Sequence, residues 1–371
     1  MRILCLDIGS SSLKLAVYEK ARTGDTFERL VAADAPLPAD GFRAGAGVER
    51  ILQAVPDGNV KTGRHGPPVH PLAGIGHRVV FGGPQRVAAV LADDRVLDEL
   101  EAYVPMEPLH LRAQLDLIGA IRSARPGLPQ VLCFDTAFHH DMPHVAQLVA
   151  LPPDAVPGIR RYGFHGLSYE YIVSKLDGAP GRTRVAHLGS GASLCAIRDG
   201  APVDTTMGFS PLSGLVMATR PGDLDPGAIL ALVRDGRSVA EITDLLYRGS
   251  GLLGVSGVSP DLRALIAASP DNPRARDAVA LFQYELIKHM GAMIAALGGL
   301  DTLVFTGGIG EHQPSVRSAA CEAFRFLGVH VDEAANARNA DSIALPESRA
   351  AIRVIPTDEN LMVARHAAAL L

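Results

Sequence analysis

The chain has 371 residues and 47% apolar content, enough for two or three domains with buried cores. Its formal charge of -5, with no long like-charge run, excludes the basic field that nucleic acid or anionic lipid would require. Four widely spaced cysteines, Cys5, Cys133, Cys195 and Cys321, form no CxxC pair, which argues against a thiolate zinc site or dithiol centre and points to buried thiols in a reducing compartment.

Asp7 interrupts the N-terminal apolar stretch that a signal peptide would need, and the longest apolar run, residues 290–300, is too short to span a bilayer, so a soluble cytoplasmic protein is expected. Residues 2–7 and 13–18 read as strands joined across the Gly-Ser loop of DIGSSSLK, with a third strand over 27–33. Leu111, Leu115 and Ile118 carry helical spacing, and an apolar strand over 130–134 ends in Asp135. Proline and glycine cluster at 152–158, which places a lobe boundary near 150 and divides the chain into 1–150 and 151–356.

The second half repeats the order, with strands over 184–187, 194–197 and 202–205, then helices, then a strand over 302–306. Its loop HLGSGAS, residues 187–193, aligns Gly189-Ser190 with Gly9-Ser10, so the chain reads as an internal duplication of an α/β unit. Val279, Phe282, Leu286, Met290, Met293 and Leu297 mark a core-facing helix over 273–297, opened by Pro273. A last helix starts at Thr357 or Asp358 and is expected to return to the first lobe.

Walker A, complete dinucleotide, HExxH and GxSxG patterns are absent. Loops at Gly9, Ser10, Ser11 and Ser12 and at Gly189, Ser190 and Gly191 can present N–H groups and hydroxyls to phosphate; the plainer reading of either alone is a hairpin turn. Gly307, Gly308 and Gly310 of FTGGIGE would let a flat adenine lie against backbone. Arg78 and Arg220 sit in what read as tight, glycine-flanked loops, where a guanidinium suits a carboxylate or phosphate, or simply ties loops together. Asp135 lies at a strand end, where ligands of open α/β sheets gather, and His165 lies in a glycine-flanked turn. Glu359, in the first turn of the last helix, suits the helix dipole; with Asp7 and Asp135 it could help hold Mg²⁺ through water.

DIGSSSLK, GHRVV, FDTAFH, RRYGFHG, HLGSGAS, MGFSPLSGL with TRPGDLDP, GLLGVSGVSPDLR, FTGGIGE and PTDENLMVAR occur in order, and through them the chain resembles the acetate kinase family of the acetate and sugar kinase/Hsp70/actin superfamily. The resemblance implies two duplicated ribonuclease H-like, actin-like ATPase lobes with a central nucleotide cleft, Mg²⁺ (or Mn²⁺), ATP as co-substrate, and commonly a homodimer. It implies ATP-dependent, reversible phosphorylation of acetate to acetyl phosphate; because the acid is already ionised and needs no strong general base, direct in-line attack on the γ-phosphorus is expected. By motif, Arg78 and Arg220 would hold the acid and the transferring group, Asp135 and Glu359 would position Mg²⁺, and Asp7 matches the position that the wider superfamily uses for that ion. His165 would bond phosphoryl oxygens, and His110 matches an active-site histidine.

The same resemblance places Lys14, His187, Asp261, Leu262, Arg263 and Ile309 with the nucleotide, alongside the serines and glycines above. Val80, Leu109, Phe164 and Pro211 would wall the acid's methyl group. Asp7, Ser190, Phe81, Leu111-Arg112 and His312 depart from the family pattern. The alternatives are a propionate or butyrate kinase on the same scaffold, or an ATP-binding switch protein.

Overall fold

A computed structural model describes residues 1–9, 12–36, 71–152, 154, 158–178 and 180–371. They form two compact units: Met1–Phe138 with Gly166–Tyr171 and Asp358–Leu371, and His139–His165 with Ile172–Thr357. The chain first passes from one unit to the other at 138/139, upstream of the proline- and glycine-rich stretch, of which residues 153 and 155–157 lie outside the described residues.

The first unit is built on β1 (Arg2–Ile8), β2 (Ser12–Lys20), β3 (Phe27–Pro36), β4 (Leu72–Val79), β5 (Val90–Leu91) and β6 (Gln130–Phe134), in the order β3-β2-β1-β4-β6-β5. β1, β2 and β3 form an antiparallel meander, while β4 and β6 run parallel to β1. Residues 3–8 of β1 are all buried, which is why β1 reads as a continuous apolar run rather than an alternation. Leu4, Leu6, Leu15, Val17 and Ile75 share one core with Leu117 and Ile121 of the helix Leu111–Ala124. The C-terminal helix, Glu359–Leu370, belongs to this unit and packs on β1, β4 and β6.

β4 corrects the reading of Arg78 as a loop residue: Arg78 lies on a strand paired on both sides. The glycines that suggest a loop have a packing cause. A Cβ on Gly76 would collide with Val363 of the C-terminal helix, and one on Gly74 would stand 2.6 Å from Leu371.

The second unit carries β7 (Arg182–Leu188), β8 (Ala192–Arg198), β9 (Ala201–Thr205), β10 (Thr302–Thr306) and β11 (Ala351–Val354), in the order β11-β10-β7-β8-β9. Again a three-strand antiparallel meander is extended by two parallel strands, so β7, β8, β9, β10 and β11 repeat β1, β2, β3, β4 and β6. The helix Pro273–Leu297 has the expected bounds: the Asn272 side chain accepts from the Ala275 N–H at its start, and Gly298 ends it in the left-handed region, φ 72°. Its buried stripe runs through Ala278, Phe282, Leu286 and Met290, with Val279 half-buried beside it. All four cysteines are buried free thiols, and burial pushes Cys321 up to about 12. No helix among the described residues is long and apolar enough to cross a membrane.

Candidate active site

Three adjacent parallel strands deliver three charged side chains to the same sheet end: Asp7 near the end of β1, Arg78 near the end of β4, and Asp135 just past β6. Arg78 Nε donates to both Asp135 carboxylate oxygens at 3.0 and 3.1 Å, and Nη2 donates to Oδ2 at 2.7 Å. Arg78 Nη1 reaches the Asp7 oxygens at 3.0 and 3.1 Å. Nη1 is committed to both Asp7 oxygens, so among the described residues one N–H of Nη2 remains for a further acceptor. Burial disfavours the guanidinium charge, but Asp135, Asp7 and Glu359 more than restore it and hold Arg78 well above its ordinary range. Burial pushes the Asp135 carboxyl up; Arg78 pulls it back, and the negative charges of Asp7 and Glu359 push it up again. One cation facing three acids leaves an excess of negative charge.

Asp358, not Thr357, caps the C-terminal helix, accepting from the Leu361 N–H at 3.0 Å, and both its oxygens take the Tyr18 hydroxyl at 2.7 and 2.9 Å. Glu359 follows in the first turn. Lys14 is exposed on β2, opposite Asp7 in register. Ser10 and Ser11 lie outside the described residues, and Ser12 opens β2. Val80 is buried with its N–H on Gln114 Oε1 at 3.1 Å, Leu109 is half-buried, and Phe81 meets Tyr103 edge-on at 5.4 Å. His110 precedes the helix Leu111–Ala124 and pairs through Nδ1 with Glu107 at 3.0 Å.

In the second unit His165 takes a left-handed conformation, φ 59°, uncommon outside glycine. Its Nδ1 lies 2.8 Å from the Ser193 hydroxyl, and its ring stacks on His187 with centroids 4.4 Å apart. Arg220 is buried in a tight loop, as expected, and its Nη1 donates to the Pro211 carbonyl at 3.0 Å. The Gly189–Gly191 turn is closed by the Gly189 N–H on the Gly191 carbonyl at 3.0 Å, and the Ser190 carbonyl accepts from the Ala218 N–H at 3.1 Å. His165, His187, Gly191, Arg220 and Pro211 are thus assembled around one turn. Phe164 is buried, and its carbonyl bonds His139 at 2.9 Å.

FTGGIGE differs from a flat glycine bed. Residues Gly307–His312 are helical, and Gly307 has φ 76° with the space of its missing Cβ taken by the Leu188 carbonyl. Gly310 is buried, Ile309 half-buried and Gly308 exposed. Glu311 accepts from the N–H groups of Gly307 at 2.9 Å and Thr357 at 3.1 Å, tying this segment to the approach of the last helix. Asp261 caps the helix Leu262–Ala268 and pairs with Arg263 at 2.9 Å on the surface, with Leu262 buried beneath. Glu107, Ser193, Glu311 and Tyr18 are polar partners that sequence reasoning missed; Glu107, three residues before His110, and Glu311, four residues after Gly307, carry a local signal.

Among the described residues no three His, Cys, Asp or Glu side chains stand close enough to chelate a metal. Direct coordination by Asp7, Asp135 and Glu359 together therefore does not fit. A water-mediated role does, because Asp7 and Asp135 bind Arg78 with lone pairs to spare and the cluster is net negative.

The Acetokinase family model matches residues 2–365. The chain is 44% identical to an acetate kinase of Rhodopseudomonas palustris, covering 98% of this chain and 97% of that protein. It is 44% identical to an acetate kinase of Methylocella silvestris, covering 100% and 98%. Among solved structures, Porphyromonas gingivalis acetate kinase superposes with a TM-score of 0.83 at 34% identity, over 100% of this chain and 99% of that one. A propionate kinase from Francisella tularensis superposes with a TM-score of 0.83 at 33% identity, over 98% of each chain. The duplicated sheets accord with the expected two-lobe actin-like ATPase fold, and the chain belongs to the acetokinase family.

Proposed function

We propose that this chain catalyses the ATP-dependent, reversible phosphorylation of acetate to acetyl phosphate. Family membership supports the reaction class, a phosphotransferase with a carboxyl group as acceptor. The observation that carries the site is the clamping of Arg78 by Asp7 and Asp135 at three neighbouring strand ends.

Phosphoryl transfer spreads negative charge over three equatorial oxygens, so placed cations and donors matter more than a covalent intermediate. The acid is already ionised at neutral pH and needs no strong general base, which favours direct in-line attack on the γ-phosphorus. In the first unit Arg78 would use its remaining Nη2 N–H on an anionic oxygen, its orientation held by two carboxylates. In the second unit the buried Arg220 and the Ser193-oriented His165 would donate to phosphoryl oxygens, and the loop at Gly189, Ser190 and Gly191 would take the nucleotide's phosphates with His187. Gly307, Gly308, Ile309, Gly310, Asp261, Leu262 and Arg263 would frame the adenosine, and Val80, Leu109, Phe164 and Pro211 the methyl group. Bound Mg²⁺, or Mn²⁺, would offset charge on the nucleotide's phosphates, its waters hydrogen-bonded by Asp7, Asp135 and Glu359. A homodimer and a cytoplasmic setting belong to the same reading.

The test is ATP turnover with hydroxylamine trapping of acyl phosphate across a panel of acids. Acid-dependent hydroxamate supports the kinase; acid-independent ATP hydrolysis without hydroxamate points to a switch protein. The likeness to a propionate kinase keeps propionate in the panel as a second acid.

A further inference from the structure

We propose that Glu107 is a positioning residue that holds His110 with Nδ1 protonated, leaving Nε2 as the nitrogen that meets the reaction; this rests on the reading of His110 as an active-site group. Glu107 is 1% exposed. Its two carboxylate oxygens do different things. Oε2 accepts from the backbone N–H of His110 at 2.8 Å and of Leu111 at 3.2 Å, and so caps the helix that His110 itself does not cap through its side chain. Oε1 faces the His110 ring, 3.0 Å from Nδ1.

Ionised, Glu107 is acceptor-only, and its Oε1 then takes a hydrogen from the ring nitrogen that faces it. Among the described residues Nε2 makes no hydrogen bond, and the side chain is 13% exposed. With Nδ1–H anchored to Oε1, the ring is held in one orientation. Nε2 is thereby aimed at the reacting groups, the orienting service a buried carboxylate performs for histidine in hydrolytic triads.

Glu107→Gln separates the two roles. Its amide oxygen can keep the cap, while its amide nitrogen turns to the ring as a donor, which requires Nδ1 to lose its hydrogen and Nε2 to carry one. The experiment uses the full chain with ¹⁵N-labelled histidine, the His110 ring signals being those lost in His110→Asn, and measures kcat, KM and the unfolding midpoint in parallel. Expected are a protonated Nδ1 in the wild type and an unprotonated one in Glu107→Gln. The variant should keep a near-native midpoint and lose kcat by roughly tenfold, the loss typical of removing a histidine's outer carboxylate partner, with KM for the acid little changed. In a His110→Asn background Glu107→Gln should add no further loss of kcat.

A protonated Nδ1 persisting in Glu107→Gln overturns the proposal, as does an undiminished effect of Glu107→Gln in the His110→Asn background. An inverted tautomer with unchanged kcat in both Glu107→Gln and His110→Asn overturns the catalytic part. That outcome removes His110 from the site, while acid-dependent hydroxamate formation by the wild type still decides the kinase reading separately.

Discussion

Arg220 occupies the space that a side chain on Gly191 would need: a Cβ built there would stand 2.5 Å from Nη2 and 3.3 Å from Nε2 of His165. Gly191→Ala is therefore expected to displace the guanidinium and lower acyl phosphate formation by about 10²-fold, the scale of losing one donor aimed at a developing oxyanion. Hydroxamate kinetics on a folded variant check it; near wild-type turnover would show that Arg220 can move without cost.

Arg78 joins two buried carboxylates, so its removal reaches beyond catalysis. Arg78→Ala is expected to abolish most activity and also to destabilise the first unit by about 3 kcal/mol or more, because Asp7 and Asp135 are left buried and uncompensated. Arg78→Lys keeps the charge but cannot repeat the forked bonding and should recover only part of either. Denaturant unfolding beside the kinetic assay separates the two effects; unchanged stability in Arg78→Ala would refute the clamp.

Asp135→Asn is expected to raise the Mg²⁺ concentration needed for half-maximal turnover, since a neutral amide is a weaker partner for the waters of a hard cation. A titration with Mg²⁺ at saturating ATP and acid reads this directly. An unaltered requirement in an active variant would take Asp135 out of that role.

His77 and His139 predict a pH dependence of stability. His77 is buried with Nε2 2.7 Å from Gln130 Oε1, and His139 is buried with Nε2 2.9 Å from the Phe164 carbonyl. Burial pushes each imidazole down to about 4. In the unfolded chain each binds its proton near 6.5, so the unfolded state carries more protons between these values. Stability is then full above about pH 6.5 and declines as the pH falls toward 4, by at most about 3 kcal/mol for each ring. Unfolding curves at pH 7.5, 5.5 and 4.5 test the slope, and a flat profile would contradict neutral burial of both rings.

Acetate should be preferred and propionate accepted more weakly, with butyrate weaker again. Apolar pockets discriminate by about 1 to 3 kcal/mol per methylene, so a graded fall in kcat/KM is expected rather than exclusion. A maximum at butyrate would overturn the assignment of Val80, Leu109, Phe164 and Pro211 to a short pocket.

Local signals alone were enough for β6, β10 and the helix Pro273–Leu297, whose observed bounds match those read from the chain. A wholly apolar run bounded by polar residues, or an Asn-Pro start with a glycine stop, acts within a few residues of itself. β4 was illegible for the opposite reason. Gly74 and Gly76 weaken its strand character locally, and what they make room for is the helix nearly three hundred residues later. The same distance hid the roles of the charged groups. Arg78 could be recognised as a candidate, but its commitment to Asp7 and Asp135 spans 71 and 57 residues, and that of Tyr18 to Asp358 spans 340. Side-chain hydrogen bonds need approach to within about 3 Å in a fixed orientation. Periodicity and caps set which elements form, but only the packing of those elements sets which side chains come that close.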